Sequence, residues 1–275
     1  MRKQQVLPGF RLTFAYSIFY ISLLLLLPLA ALAMRAFSME ASEFWRVVTE
    51  PRVVASFRLT LGMAFLAALI NTVFGLLLAW VLVRYSFPGR KLVDSFIDLP
   101  FALPTAVAGI ALTAIYSENG WIGQYLAALG IQVAFTPLGI LVAMIFIGIP
   151  FLVRTVQPVL ADLDQSYEEA AASLGANSWQ RFRYVILPQV FPAVCTGFAL
   201  AFARAVGEYG SIVFIAGNIP MVSEITPLLI ITKLEQYDYA GATAIATVML
   251  GLSFLLLLGI NSLQLWSQRF YHKEA

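Results

Sequence analysis

The chain has 275 residues, of which 60% are hydrophobic and 12% charged, and its formal net charge is +2. A water-soluble domain of this length needs far more polar surface, so the composition excludes an ordinary globular protein and points to one embedded in lipid. So small a charge excess leaves no electrostatic footprint for nucleic acid, and one cysteine, Cys195, excludes an intrachain disulfide.

Six apolar stretches are long enough, or nearly so, to cross a hydrocarbon core of about 30 Å, which takes about 20 residues. They cover roughly 13–34, 58–83, 95–116, 137–157, 189–216 and 240–266. A spanning segment must satisfy its own backbone hydrogen bonds, and these runs are too long for barrel strands, so all are predicted helices. The expected fold class is an all-α polytopic membrane protein with six transmembrane helices.

In chain order, Arg2 and Lys3 precede the first stretch, which ends in Ala31-Leu32-Ala33, a pattern similar to a signal-peptidase site. The apolar run from Leu12 to Ala33 exceeds the usual h-region of about 7–15 residues, so it reads as an uncleaved first helix. Segment 35–56 mixes charges with aromatics and predicts a short helix on the outer surface. In the third stretch Pro100 and Pro104 each lack a backbone donor and are expected to bend or loosen the helix, as a gate hinge or as a static kink, with Thr105 and Gly109 following. SENGWIGQ at 117–124 reads as a turn. The fourth stretch starts at Thr136-Pro137 and carries Pro150 and Pro158 near its end, and the fifth holds two charges, Arg204 and Glu208. Trp45, Trp121 and Trp266 fall near interfaces, where indole rings anchor. Cys195 reads as helix packing, with a reactive thiol as the other reading.

Loop charges set the orientation. Arg2, Lys3 and Arg11, then Arg84, Arg90 and Lys91, then Arg154, Arg181 and Arg183, and finally Arg269 and Lys273 share one side, which the positive-inside rule makes cytoplasmic. The other side holds Arg35, Arg46, Arg52, Arg58 and Lys233, with Glu40, Glu43 and Glu50 interspersed, and loop 117–136 has no Lys or Arg. Both termini are expected inside.

The longest cytoplasmic loop contains SYEEAAASLGANSWQRFRYVILP at 166–188. Ser166 and Glu169 have the spacing of a capping box, which predicts a helix from Tyr167. Glu168 and Glu169 suit the positive end of that helix. Gly175 is placed to stop it in a left-handed conformation, and Asn177 or Ser178 to cap a second helix whose Trp179, Phe182 and Ile186 form an apolar stripe. Two short helices and a sharp turn make a knob, slim at Ala170, Ala171 and Ala172. Such a knob either enters a groove on another protein or lies along the headgroups; amphipathicity decides neither.

The pattern Glu169-Ala170-Ala171, three residues, Gly175, nine residues, Val185-x-Leu187-Pro188 resembles the EAA loop of ATP-binding-cassette importer permeases, with Val185 where that family usually has Ile. The resemblance implies a type I importer permease core over 56–266 with its coupling loop at 162–188. An N-terminal tail, first helix and external loop over 1–55 would precede it, and a cytoplasmic tail over 267–275 would follow. Glu168, Glu169, Ala170, Ala171, Gly175, Ala176 and Trp179 would then couple to a cytoplasmic ATPase dimer. Further stretches, RYSFPGR at 84–90, DLPFALPTAVAGIAL at 98–112, PFLVRTVQPVL at 150–160, FARAVGEYGSIVFIAGN at 202–218 and LEQYDYAGATAIA at 234–246, resemble the sulfate/thiosulfate permeases. Segment 98–112 favours the T-type subunit over its W-type partner. Molybdate/tungstate permeases share much of 202–211, so another oxyanion is an alternative substrate.

That resemblance implies a bacterial cytoplasmic-membrane protein with a homologous W-type subunit as its partner. It further implies a periplasmic or extracellular sulfate-binding protein, contacted by loop 117–124, and ATP and Mg held by the ATPase, with no cofactor on this chain. No Gly-Lys dipeptide occurs, so there is no P-loop. One histidine, His272, excludes HExxH zinc chemistry and His-based triads, and no G-x-S-x-G elbow exists. A membrane-embedded enzyme is therefore disfavoured; a secondary anion transporter would work without an ATPase.

A charge at mid-membrane is costly and faces a cavity or a partner. Arg204 and Glu208, at i and i+4, either neutralise one another or place a positive potential beside a passing oxyanion, with Glu208 holding Arg204. Pro100, Pro104, Thr105, Arg204, Glu208 and Ser211 are the expected pathway or gate residues. Gly197, Ala199, Ala201, Ala203, Ala205, Gly207 and Gly210 form a small-residue face for a subunit interface or for packing within the chain. Asp94 and Asp98 carry no assigned role.

Overall fold

The structure, a computed structural model, describes the backbone of residues 9–271 and the side chains of 9, 10 and 12–262. Arg2, Lys3, His272 and Lys273 lie outside the described residues, as do the side chains of Arg11, Trp266 and Arg269. The described backbone is helical, without strands. Among the described residues five helices are long and apolar enough to cross a membrane, and a sixth, Thr105–Tyr116, is apolar but shorter.

The first of the five runs through Phe10–Ile21, a π-helical turn at Ser22–Leu26 and Leu27–Phe37. None of its described side chains is buried, and it packs beside the last helix, Tyr239–Tyr271. The short helix expected within 35–56 is present at Ala41–Val48. Pro51 then starts a 34-residue helix ending at Arg84, with the missing Pro N–H falling in the first turn, where no intrahelical partner exists anyway. Pro137–Asp162 continues through both Pro150 and Pro158, longer than the 137–157 stretch predicts.

Two expectations need correction. The third stretch is not one span over 95–116. It is divided into Arg90–Ile97, Leu99–Ala102 and Thr105–Tyr116, because Leu103, the residue before Pro104, is forced to an extended ψ of 136°. The fifth stretch ends at Val206, ten residues short of 216. There the Glu208 side chain accepts the Ser211 N–H, which therefore serves a side chain and not the helix ladder. The chain continues through a single turn at Ile212–Ile215, the helix Thr226–Glu235, and left-handed residues at Asn218, Met221 and Tyr237.

Pro51–Arg84, Pro137–Asp162 and Ser178–Val206 form the centre of the bundle. Leu152 is fully buried between two glycines: a Cβ at Gly75 would fall 2.6 Å from its Cδ2, and one at Gly197 2.6 Å from its Cδ1. A turn away, Gly148 makes room for the Asn71 side chain. With no hydrophobic force between helices in lipid, close approach over small residues is what holds such a bundle. Gly197, Ala199, Ala201 and Ala205 are buried in this packing, so that part of the small-residue face serves the chain's own core, while Ala203, Gly207 and Gly210 are not buried.

In the first turn of Pro51–Arg84, Arg52 donates two hydrogen bonds of 2.7 Å to Glu224, which is 2% exposed. Beneath them the Thr226 N–H donates to Thr60 Oγ1 at 2.8 Å, and Ser56 lies 3.3 Å from Thr226 Oγ1. This buried polar clasp fixes the Thr226–Glu235 helix to the bundle.

Candidate functional site

The segment between Pro137–Asp162 and Leu187–Val206 forms a projecting elbow. Its first helix is Gln165–Ser173, and its N-cap is Asp164, whose carboxylate accepts the Ser166 N–H at 2.9 Å. The capping box expected at Ser166 and Glu169 is absent, because Asp164 takes the cap position two residues earlier and is among the strongest N-caps. That hydrogen bond holds the Asp164 carboxyl below its ordinary pKa. The helix ends as expected at Gly175, with φ +88°. Gly175 N–H donates to Ala172 O at 2.9 Å and Ala176 N–H to Ala171 O at 3.0 Å, the paired bonds of a Schellman stop. Asn177, not Ser178, caps the second helix in a reciprocal box with Gln180.

The elbow presents Tyr167, Leu174 and Trp179 to solvent, with Leu174 89% exposed at the tip. Glu169 and Ala170 are exposed, and Ala171 and Ala176 half-buried. A groove of about 350 Å³ runs under the turn, lined by Ala171, Leu174, Gly175, Ala176, Gln180 and Tyr184 among others. The predicted Trp179-Phe182-Ile186 stripe divides by depth. Ile186 is fully buried, Phe182 meets Trp80 edge-on at 5.6 Å, and Trp179 stacks on Phe182 from outside, 67% exposed.

Two ionic ties fasten this end of the molecule. Glu168 accepts from Arg84 at 2.5 Å, with both side chains largely covered, and the Arg84 guanidinium lies 5.7 Å from the Trp80 ring. The elbow is thereby joined to the last residue of Pro51–Arg84. Arg154 grips the divided third stretch: Nε and Nη2 bond the Asp98 carboxylate at 2.8 and 2.6 Å, Nη1 the Asp94 carboxylate at 2.7 Å, and Nη2 the Asp94 carbonyl at 2.9 Å. Asp94 and Asp98, given no role by the sequence, are anchors. One turn apart on one face, they carry an i, i+4 carboxylate signal, but a partner 56 residues away leaves no local trace.

Deeper in the bundle, four of the six expected pathway residues meet. Glu208 is 1% exposed; its Oε1 accepts the Ser211 N–H and hydroxyl, each at 2.9 Å, and its Oε2 pairs with Arg204. The Arg204 side chain keeps 33% of its surface while that of Glu208 keeps 2%, so the cation is the open member of the pair. The loop from Gly207 to Ser211 lies on the start of Thr105–Tyr116: a Cβ at Gly210 would collide with Thr105 Oγ1, and one at Gly109 with the Ser211 carbonyl. Pro100 lies in the Leu99–Ala102 turn and Pro104 at the break itself. Past the end of Thr105–Tyr116, Ser117, Glu118, Asn119, Gln132, Ala134 and Phe135 line a cavity of about 330 Å³, and Trp121 is exposed. No group of three or more metal-ligating side chains exists among the described residues.

Residues 71–271 match the family described as binding-protein-dependent transport system inner membrane component. The chain is 53% identical to the sulfate transport system permease protein CysT of Escherichia coli (strain K12) over 261 residues, covering 95% of this chain and 94% of that protein. It is 52% identical to the protein of the same name from Synechococcus elongatus, covering 91% and 90%. A solved bacterial ABC transporter involved in the import of the acidic polysaccharide alginate has a chain that superposes with a TM-score of 0.77 over 93% of this chain and 94% of its own, at 16% identity.

Proposed function

Since the chain belongs to the family of inner membrane components of binding-protein-dependent transport systems, we propose that it is the T-type permease subunit of an ATP-driven sulfate/thiosulfate importer. It pairs with a homologous W-type subunit to enclose the anion path. A cytoplasmic ATPase dimer binds and splits ATP with Mg, and a periplasmic or extracellular binding protein delivers the anion. Both termini face the cytoplasm of a bacterial inner membrane. The chain binds no cofactor of its own. Support for sulfate comes from relatives more than half identical over nearly the whole chain, each named as a sulfate permease.

The observation that carries the coupling role is the elbow. A capped helix, a left-handed stop and a second capped helix hold Glu169, Ala170 and Leu174 rigidly outward. Force on that tip has two routes inward. Through Glu168 and Arg84 it reaches Pro51–Arg84. Through the continuous helix from Ser178 to Val206 it reaches the Gly207–Ser211 loop, which rests on Thr105 and Gly109 beyond the proline break. Closure of the ATPase therefore rocks the long helix and shifts the loop against a half-helix that Pro104 has already uncoupled from its cytoplasmic part. Arg204 offers the passing dianion a positive potential, moderated by Glu208 so that release stays fast.

Gly175→Pro and Glu169→Arg should each abolish sulfate uptake while membrane insertion is retained. Normal uptake by both variants would remove the coupling assignment. In the reconstituted complex, sulfate and thiosulfate should drive ATP-dependent uptake that molybdate competes for poorly.

A further inference from the structure

Where the elbow meets the helix Leu187–Val206, a cavity of about 300 Å³ opens, lined by Arg183, Tyr184, Leu187, Pro188 and Phe191. We propose that it is a binding site for one anionic phospholipid, with the headgroup phosphate at Arg183 and an acyl chain along Leu187, Pro188 and Phe191. Arg183 makes no ion pair among the described residues; its guanidinium carbon lies 5.9 Å from the Tyr184 ring centroid. A cation without a carboxylate, beside an exposed phenol, is a receptor for a phosphate.

The remaining lining is apolar and ordered by depth. Residues 184, 187, 188 and 191 recur at helical spacing on one face, so the cavity descends about 10 Å along the helix from Tyr184 to Phe191. Arg183 and Tyr184 belong to the π-helical turn at the polar end of this helix, and Leu187 opens its apolar part. A soluble anion would use only the upper half of such a cavity. A lipid fills both halves, and basic pockets at this depth on the cytoplasmic side are sites for acidic headgroups. The proposal rests on the orientation proposed above, with this end of the helix in the cytoplasm, and stands whether or not the transported anion is sulfate.

The test uses the purified complex in nanodiscs of phosphatidylcholine with increasing phosphatidylglycerol, reading bound phosphatidylglycerol by native mass spectrometry and stability by thermal unfolding. Arg183→Gln should weaken phosphatidylglycerol retention about fivefold, the ~1 kcal/mol that one basic residue contributes at an anionic surface. Arg90→Gln removes the same charge from an exposed site on the same side and should leave retention unchanged. Inorganic phosphate and soluble glycerophosphoglycerol, which lack acyl chains, should neither stabilise nor displace. The proposal is overturned by equal retention in wild type and Arg183→Gln, by equal loss in Arg90→Gln, by displacement with inorganic phosphate, or by Arg183 cross-linking to a protein subunit. A thermal midpoint in lipid-free detergent equal to wild type establishes that Arg183→Gln is folded.

Discussion

The Arg204–Glu208 pair invites a double-mutant cycle. Glu208 is sealed from solvent and holds three donors: the Ser211 N–H, the Ser211 hydroxyl and the Arg204 guanidinium. Glu208→Gln keeps the shape and one carbonyl acceptor but removes the charge, leaving Arg204 without its counterion. Breaking a fully buried pair costs about 3–5 kcal/mol, and an exposed pair is worth about 0.2–1. Arg204 is one-third exposed, so water relieves part of the loss and each single substitution is expected to cost about 2 kcal/mol. Arg204→Gln with Glu208→Gln leaves two neutral amides at hydrogen-bonding reach, and the double variant should cost little more than either single one. The coupling energy is then about 1.5–2 kcal/mol, readable from denaturant titration of the subunit in mixed micelles. Uptake should fall in every variant that lacks Arg204, including the stable double one. Single costs that simply add, with coupling under ~0.5 kcal/mol, would refute the reading of the pair as one unit.

Gly148→Ala should lower the thermal midpoint, because the new methyl collides with the buried Asn71 amide, and Asn71→Ala should rescue it. Failure of the rescue would place the strain elsewhere. Arg84→Gln should lower uptake several-fold while ATP hydrolysis by the complex persists, and the exchange Arg84→Glu with Glu168→Arg should recover part of the uptake; undiminished uptake in the single variant would remove the first of the two force routes. At the start of Tyr239–Tyr271 the Gly241 N–H, with help from Lys233, holds the Asp238 carboxyl below its ordinary pKa. A carboxyl lowered in the folded state contributes stability above the unfolded pKa of about 3.9 and loses it as pH falls toward the folded value. The stability gap between wild type and Asp238→Asn should thus be constant near neutrality and close below about pH 4. A gap that widens with acid would contradict the assigned direction.

Features written in consecutive residues were legible in the sequence. The spans follow from apolar length, the elbow's turn from Gly175, and the existence of its second cap from Asn177 and Ser178, between which the reciprocal box with Gln180 decides for Asn177. The first cap was misplaced by two residues because Asp164 and Ser166 both favour the position, and only geometry shows which carboxylate or hydroxyl receives the amide. Pro100 and Pro104 announced a disturbance, but a pattern of apolar residues does not tell a bent helix from a broken one. The fifth span was drawn too long because Ile212–Ile215 continues its hydropathy past the residues where Glu208 captures the backbone. What stayed hidden is tertiary. Arg154 with Asp94 and Asp98, Arg52 with Glu224, and Arg84 with Glu168 join residues 56 to 172 positions apart, and no local spacing encodes such partners.

The decisive measurement is a cross-link from the tip of the elbow. Leu174→Cys, in a Cys195→Ala background, places a single thiol at the exposed tip of the turn. In inside-out membrane vesicles the account predicts a disulfide or short-linker adduct to the ATPase subunit whose yield changes when nucleotide is trapped. Labelling of that cysteine only from the external face, or adducts that never include a nucleotide-binding subunit, would contradict it.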